Sequence, residues 1–466
     1  MIKNNNRRDF LKTAGAAASV LIFSESLFGA LNGSEPHMRR DIGGLTAADP
    51  LIASYRKAIK AMRSLPGSNP LSWDYQAAIQ GTTMMPERAG WNSCEHGTYY
   101  FWSWHRMYLY WFERIIRKMS NDETWTLPYW NWTAPGERQL PAMFRDKSSE
   151  LYTPFREPAM NDGTGSLPES DVDYSASFAE ANFTVASSTI EGTPHDAVHV
   201  DVGGATGWMG SVPTAAQDPI FYLHHSNMDR LWNLWLVKGG GRTDPLNDDS
   251  WKKRQFTFFD ENGKQLTMTG CDVLRAAQQL DYIYENEPAQ VTEYCQNPIR
   301  PVPVALKTSL LHLPDPPELN SDRVSFSADI TQVSNRLVSI SGSKTEKLFL
   351  DLGRVEAERP PGVVWEVYVG LPTNAIPDPK GAFFAGNVVI FGAGIHGDAH
   401  HDYHPAHFSF DVSRAIAEVM KRKEENLLIT FVPHGVLVNG KPTRPKAASS
   451  VRIGSADLMI QIEREQ

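Results

Sequence analysis

The sequence is poor in cysteine, in long apolar runs and in blocks of like charge. Three cysteines in 466 residues form at most one bridge, which excludes a disulfide-stapled scaffold and leaves one thiol to be explained. No stretch reaches the ~20 consecutive apolar residues of a spanning helix, so no membrane span is expected. Charges sum to −9, from 45 Lys+Arg and 54 Asp+Glu. With no basic block, a nucleic-acid partner bound through phosphates is not expected. What the chain does have is 13 Trp and 14 His, and all the Trp but Trp365 precede residue 300. The length and the 41% hydrophobic content suffice for a sizeable core and more than one domain.

The organisation follows from shifts in pattern. Arg7-Arg8-Asp9-Phe10-Leu11-Lys12 leads into a mild apolar run, Thr13 to Phe23, and small residues at Gly29-Ala30. This reads as a twin-arginine export signal over residues 1–36, with the export machinery as partner and a periplasmic or secreted destination. Residues 37–297 carry aromatics at helical spacing, as in Tyr99, Trp102, His105, Tyr108 and Phe112, and read as a helical domain. Six prolines between 298 and 317 mark a linker over 298–320. From 321 to 466 the pattern alternates with period two, as in Val363 to Val369 and Leu427 to Val432, which predicts a smaller β-rich domain.

The histidines of the helical domain carry the chemistry. His195 and His199 are four apart and share one face of a helix. His224 and His225 follow Asp218-Pro219, and because neighbours on a helix diverge by about 100°, one of the two faces the same point. His96 and His105 precede and open a strongly aromatic helix. Imidazoles gathered without a Cys pair argue for a redox or Lewis-acid metal rather than a thiolate-rich structural zinc. Copper suits them best.

These segments resemble the central domain of the tyrosinase, catechol oxidase and molluscan haemocyanin superfamily, the type 3 dicopper proteins. The resemblance lies in His96-Gly97, Phe101 to Glu113, Leu127 to Trp132, Glu191 to His199, and Asp218 to Arg230. It implies a mainly α fold, with a four-helix-bundle dicopper domain followed by the β-rich carboxy-terminal domain. It also implies two copper ions, a small phenolic substrate and O2, and oxidation of catechols to o-quinones, with monophenol hydroxylation left open. By the same likeness His96 and His105 bind the first copper, and His195, His199 and His225 the second. His224 points away, and Asp229 supports the ligands one turn beyond His225.

One departure stands out. The family's third ligand to the first copper is a histidine, and Gln80 occupies that position here. A neutral amide oxygen is a poorer copper ligand than imidazole, so the first site is expected to be weakened. Cys94 stands at the spacing from which some members form a thioether to the histidine matching His96, which would leave Cys271 and Cys295 for a disulfide. Glu191 matches a water-orienting carboxylate, Asp196 a position tied to substrate choice, and Val212 the residue that gates the entrance. A haemocyanin-like oxygen or copper binder is the alternative to an enzyme. His396, His400, His401, His404 and His407 crowd a Gly-containing loop and read either as a surface loop or as a secondary copper site.

Overall fold

Helix α1 (Pro50–Arg63) starts where Asp49 accepts the Leu51 N–H and Pro50 fills the first turn. Helix α2 (Trp73–Gln80) starts on Ser72, whose hydroxyl accepts the Tyr75 N–H. Helix α3 (Phe101–Ser120) buries its whole first turn, from Phe101 to Trp104, and ends at Asn121 in the left-handed region, φ 56°. A widened helical turn at Glu191–Asp196, with a cis bond before Pro194, leads into α4 (Ala197–Gly203). Helix α5 (Ile220–Val237) follows Pro219.

These descriptions come from a computed structural model that covers residues 36–285, 287, 307–343, 345–391 and 405–462. The expected export signal therefore lies outside the described residues, as do Cys295 and His396, His400, His401 and His404. Among the described residues no helix is long and apolar enough to cross a membrane.

The long helices α3 and α5 are joined by aromatic stacking and a buried ion network. Trp102 lies parallel to Trp232 at 6.1 Å, and Phe112 parallel to Tyr222 at 3.5 Å. Asp229 of α5 pairs with Arg106 of α3 and, at 3.2 Å, with Arg39, and it accepts Tyr282 Oη at 2.5 Å and Tyr284 Oη at 2.6 Å. Two buried guanidinium groups require a counter-ion. This corrects the expected role of Asp229: its carboxylate ties together the helices and the Tyr282–Tyr284 strand instead of bonding to His225.

The β-rich part has strands β1 (Lys307–Leu313), β2 (Val324–Asp329), β3 (Glu346–Glu356), β4 (Val364–Val369), β5 (Phe384–Val389), β6 (Ala406–Asp411), β7 (Asn426–His434) and β8 (Arg452–Ile462). They form two antiparallel sheets, ordered β5-β4-β7-β2 and β6-β3-β8-β1. Alternate residues of both sheets, among them Leu350, Val367, Phe431 and Leu458, share one apolar core. Strand β1 falls inside the stretch read as linker: its Leu311 and Leu313 pair along β8, and the prolines at 298, 301 and 303 lie outside the described residues. The carboxy-terminal part is thus β-rich as expected, beginning at Lys307 rather than 321.

The helical and β-rich parts belong to one compact unit, Met38–Gln466. Ala197 and Val200 of α4 pack on Val364 and Val389. Beside them His434 Nε2 of β7 lies 3.3 Å from Asp171 Oδ1, a carboxylate that also accepts Asn387 Nδ2 at 3.0 Å. Burial favours the neutral ring, but Asp171, with Glu366, overrides it and pushes His434 up to about 9. A raised histidine contributes stability that is fully present below its unfolded value near 6.5 and is lost as pH rises through 9. The shift corresponds to roughly 3 kcal/mol. Urea unfolding at pH 6 and pH 10 is expected to show this loss in the parent chain and to show a much smaller difference in His434→Gln. Equal pH dependence in the two would remove His434 from the account.

Candidate metal centre

Six imidazoles from four segments converge. His105 and His225, on facing helices, stack at 4.2 Å with 6° between their planes. His195 lies 4.6 Å from His199, 4.9 Å from His225 and 5.4 Å from His96. The donor atoms sort into two groups, each close enough for one ion: His195, His199, His224 and His225, and Cys94, His96 and His105.

In the group of His195, His199, His224 and His225 the backbone and one carboxylate fix the rings. His195 Nδ1 meets Asp196 Oδ1 at 2.8 Å, and His199 Nδ1 meets the Met209 carbonyl at 2.9 Å. The Met209 carbonyl can only accept, so His199 Nδ1 carries the proton and its Nε2 is left as a lone pair, while the Asp196 contact holds the His195 ring in place. His199 Nε2 and His225 Nε2 are 3.2 Å apart. Two nitrogens bound tetrahedrally to one ion at 2.0–2.1 Å would stand about 3.3 Å apart, so this spacing fits a shared metal. His195 Nε2 is buried with no hydrogen-bond partner, as expected of a ligand atom. Burial holds His195, His199 and His225 well below the ordinary histidine range and His224 down to about 3, so all four are neutral, the form that binds metal.

His224 departs from expectation. It does not point away: its ring lies 5.3 Å from His195 and 4.8 Å from His199, against Trp132 at 5.7 Å. Both its nitrogens are buried and unpartnered. The 100° offset along α5 is offset in turn by His195 and His199, which crowd toward that side of the helix.

The group of Cys94, His96 and His105 is held differently. His105 Nδ1 meets the Phe101 carbonyl at 2.8 Å, leaving Nε2 free, and burial holds the ring down to about 3. Cys94 is a free, buried thiol, with Sγ 3.4 Å from His96 Nδ1, 3.7 Å from His96 Nε2 and 3.4 Å from His105 Nε2. Gln80, the last residue of α2, is buried at 1% exposure. Its amide approaches the Cys94 sulfur, yet neither amide atom completes a hydrogen bond. The residues thus fit a metal, but not the three-imidazole set of the resemblance.

The other residues singled out in the sequence lie as follows. Glu191 Oε1 accepts the Gly97 N–H at 2.6 Å. Burial raises Glu191 to about 8, with Gly97 opposing and the Glu95 carboxylate adding to the rise. Asp196 is pushed up by burial and by Glu191. Val212 is buried with its carbonyl against Gly81, where an added Cβ would come within 2.9 Å. Cys271 is disulfide-bonded.

Sequence reasoning missed Phe391. It lies two residues beyond β5 and is 2% exposed. Its ring stacks on His199 at 4.1 Å and 24°, and meets His96 at 5.5 Å and His195 at 5.8 Å, both edge-on. An aromatic at a strand end carries no local sign of this role. Only the packing of β4 and β5 on α4 brings it there.

Comparison with known proteins gives a consistent picture. The profile for the common central domain of tyrosinase matches residues 70–185 and 159–238, the polyphenol oxidase middle domain matches 245–294, and a domain of unknown function, DUF7868, matches 318–444. A tyrosinase of Hahella, HcTyr1, is 34% identical over 51% of this chain and 61% of its own length. A latent-form polyphenol oxidase of Prunus armeniaca is 32% identical over 51% of this chain. The chain spans only 61% and 47% of these two relatives. A chloroplastic polyphenol oxidase of Malus domestica is 28% identical over 81% of this chain and 72% of its own length. The fold is shared with the solved latent apple tyrosinase, at TM-score 0.61 and 24% identity over 92% of this chain and 98% of that one.

Proposed function

We propose that this chain, which belongs to the tyrosinase and polyphenol oxidase family of type 3 copper proteins, is a copper-dependent oxidoreductase that converts catechols to o-quinones with O2. One observation carries the reading: the buried imidazoles of α4 and α5 bring His199 Nε2 and His225 Nε2 to 3.2 Å, the spacing of a shared ion, with the unpartnered His195 Nε2 in the same group. In the proposed four-helix frame, α2, α3, α4 and α5 supply the walls. Copper held by His96, His105, His195, His199 and His225 would supply O2 binding and electron transfer.

The protein's own residues do the rest. The Met209 carbonyl keeps His199 in the tautomer that offers Nε2, and Asp196 holds the His195 ring by its Nδ1. Glu191, protonated near neutrality and anchored at Oε1 by Gly97, can exchange a proton at its other oxygen with a phenol hydroxyl or a water. The aromatic walls from Phe101 and Phe221 exclude bulk water and suit an aromatic ring. Catechol oxidation is proposed as the stronger half-reaction, with Val212 leaving room for the substrate.

Phe391 favours a latent form, the β-rich part covering the ligands until it is displaced, and it equally suits a shielded oxygen binder. We also propose export by the twin-arginine route. Oxygen uptake separates enzyme from binder: copper-loaded chain is expected to yield quinone from 4-tert-butylcatechol, faster after limited proteolysis in the Pro-rich stretch 298–317. Absence of quinone both before and after cleavage would leave the binder.

A further inference from the structure

We propose that the first metal group is a thiolate site, in which Cys94 Sγ binds the ion directly with His96 and His105 and the Gln80 amide stands at the fourth side. The inference rests on the reading that these groups hold metal, and changes what the first one is.

The distances make the case. A sulfur at about 2.3 Å and a nitrogen at about 2.0–2.1 Å from one ion, near the tetrahedral angle, stand about 3.5 Å apart. Cys94 Sγ is 3.4 Å from His105 Nε2, the nitrogen that the Phe101 carbonyl leaves free, and 3.4 Å from His96 Nδ1. A thiol kept only for packing has no need of two imidazole nitrogens at that spacing. Gln80 then explains the choice of ligand. Where a third imidazole is missing, the site lacks a strong donor, and a buried thiolate supplies one along with a negative charge. Both amide atoms of Gln80 are buried and without a completed hydrogen bond, which suits a weak fourth ligand. Two imidazoles and one thiolate, with the Gln80 amide beside them, form a set that favours soft ions, copper above all. On binding, the S–metal bond forms as the thiol proton passes to solvent, and no electron moves.

Cobalt(II) is the probe, because it does not oxidise thiols. Reduced, metal-free full-length chain titrated with cobalt is expected to fill both groups and to develop a thiolate-to-cobalt charge-transfer band. Cys94→Ser should lose that band and weaken the first site by more than about tenfold, while still binding cobalt at His195, His199 and His225, which shows that it has folded. Both groups filled without a thiolate band would overturn the inference and leave the phenol oxidase reading intact. So would a Cys94 that resists alkylation in denatured protein, with its peptide lighter by a hydrogen pair, the mark of a thioether to His96. Failure of the parent chain to bind cobalt at either group would overturn both readings.

Discussion

Phe391→Ala is expected to raise catechol oxidation by the intact, copper-loaded chain by about tenfold or more, to near the rate of proteolysed protein. The ring lies 4.1 Å from His199 and touches His96 and His195, so a phenol cannot occupy the same space. Removing it relieves the competition for the ligand face, and each tenfold in rate corresponds to about 1.4 kcal/mol. The same change empties a well-packed position, and truncating a buried Phe costs about 3–5 kcal/mol. Thermal unfolding should therefore fall while activity rises. That opposition distinguishes a shield from a structural support, since loss of support alone would lower both. An unchanged rate, with cleaved protein no faster, would show that Phe391 does not limit access.

The second large effect is a loss. His225→Ala is expected to bring oxidation to background and to reduce bound copper, with the loss confined to the second group. His225 is fully buried, faces His199 across 3.2 Å and stacks on His105 at 4.2 Å, so it touches both groups. Because truncation also leaves a cavity, His225→Gln, which keeps most of the volume, serves as companion. Folded His225→Gln with parent-like copper content and rate would contradict the ligand assignment. Copper content per chain, alongside circular dichroism, checks both variants.

The two substitutions also show how much was legible in the sequence. The His195/His199 spacing and the Asp218-Pro219 lead into His225 are local signals, and the fold brings all three rings together. Gln80 could be singled out because the resemblance fixes what should stand there, and its burial beside Cys94 agrees. The β-rich part was legible from alternation, although β1 was read as linker because the prolines around it dominate the local pattern. What escaped is what depends on long-range packing. Phe391 gains its position from α4 meeting β4 and β5, which follow α4 by more than 160 residues in the chain. The Arg39–Asp229–Arg106 network joins three distant segments, so Asp229 was assigned to the nearest histidine. His224 was misplaced because helical geometry fixes a direction on α5 but not which neighbours crowd toward it.

The central claim is that imidazoles from separate segments hold two metal ions side by side. Anomalous diffraction from a copper-loaded crystal, collected at the copper edge, tests it most directly. The account expects one peak among His195, His199 and His225 and a second beside His96, His105 and Cys94. A lone peak elsewhere in the molecule, or none among these side chains in protein that carries copper, would contradict it.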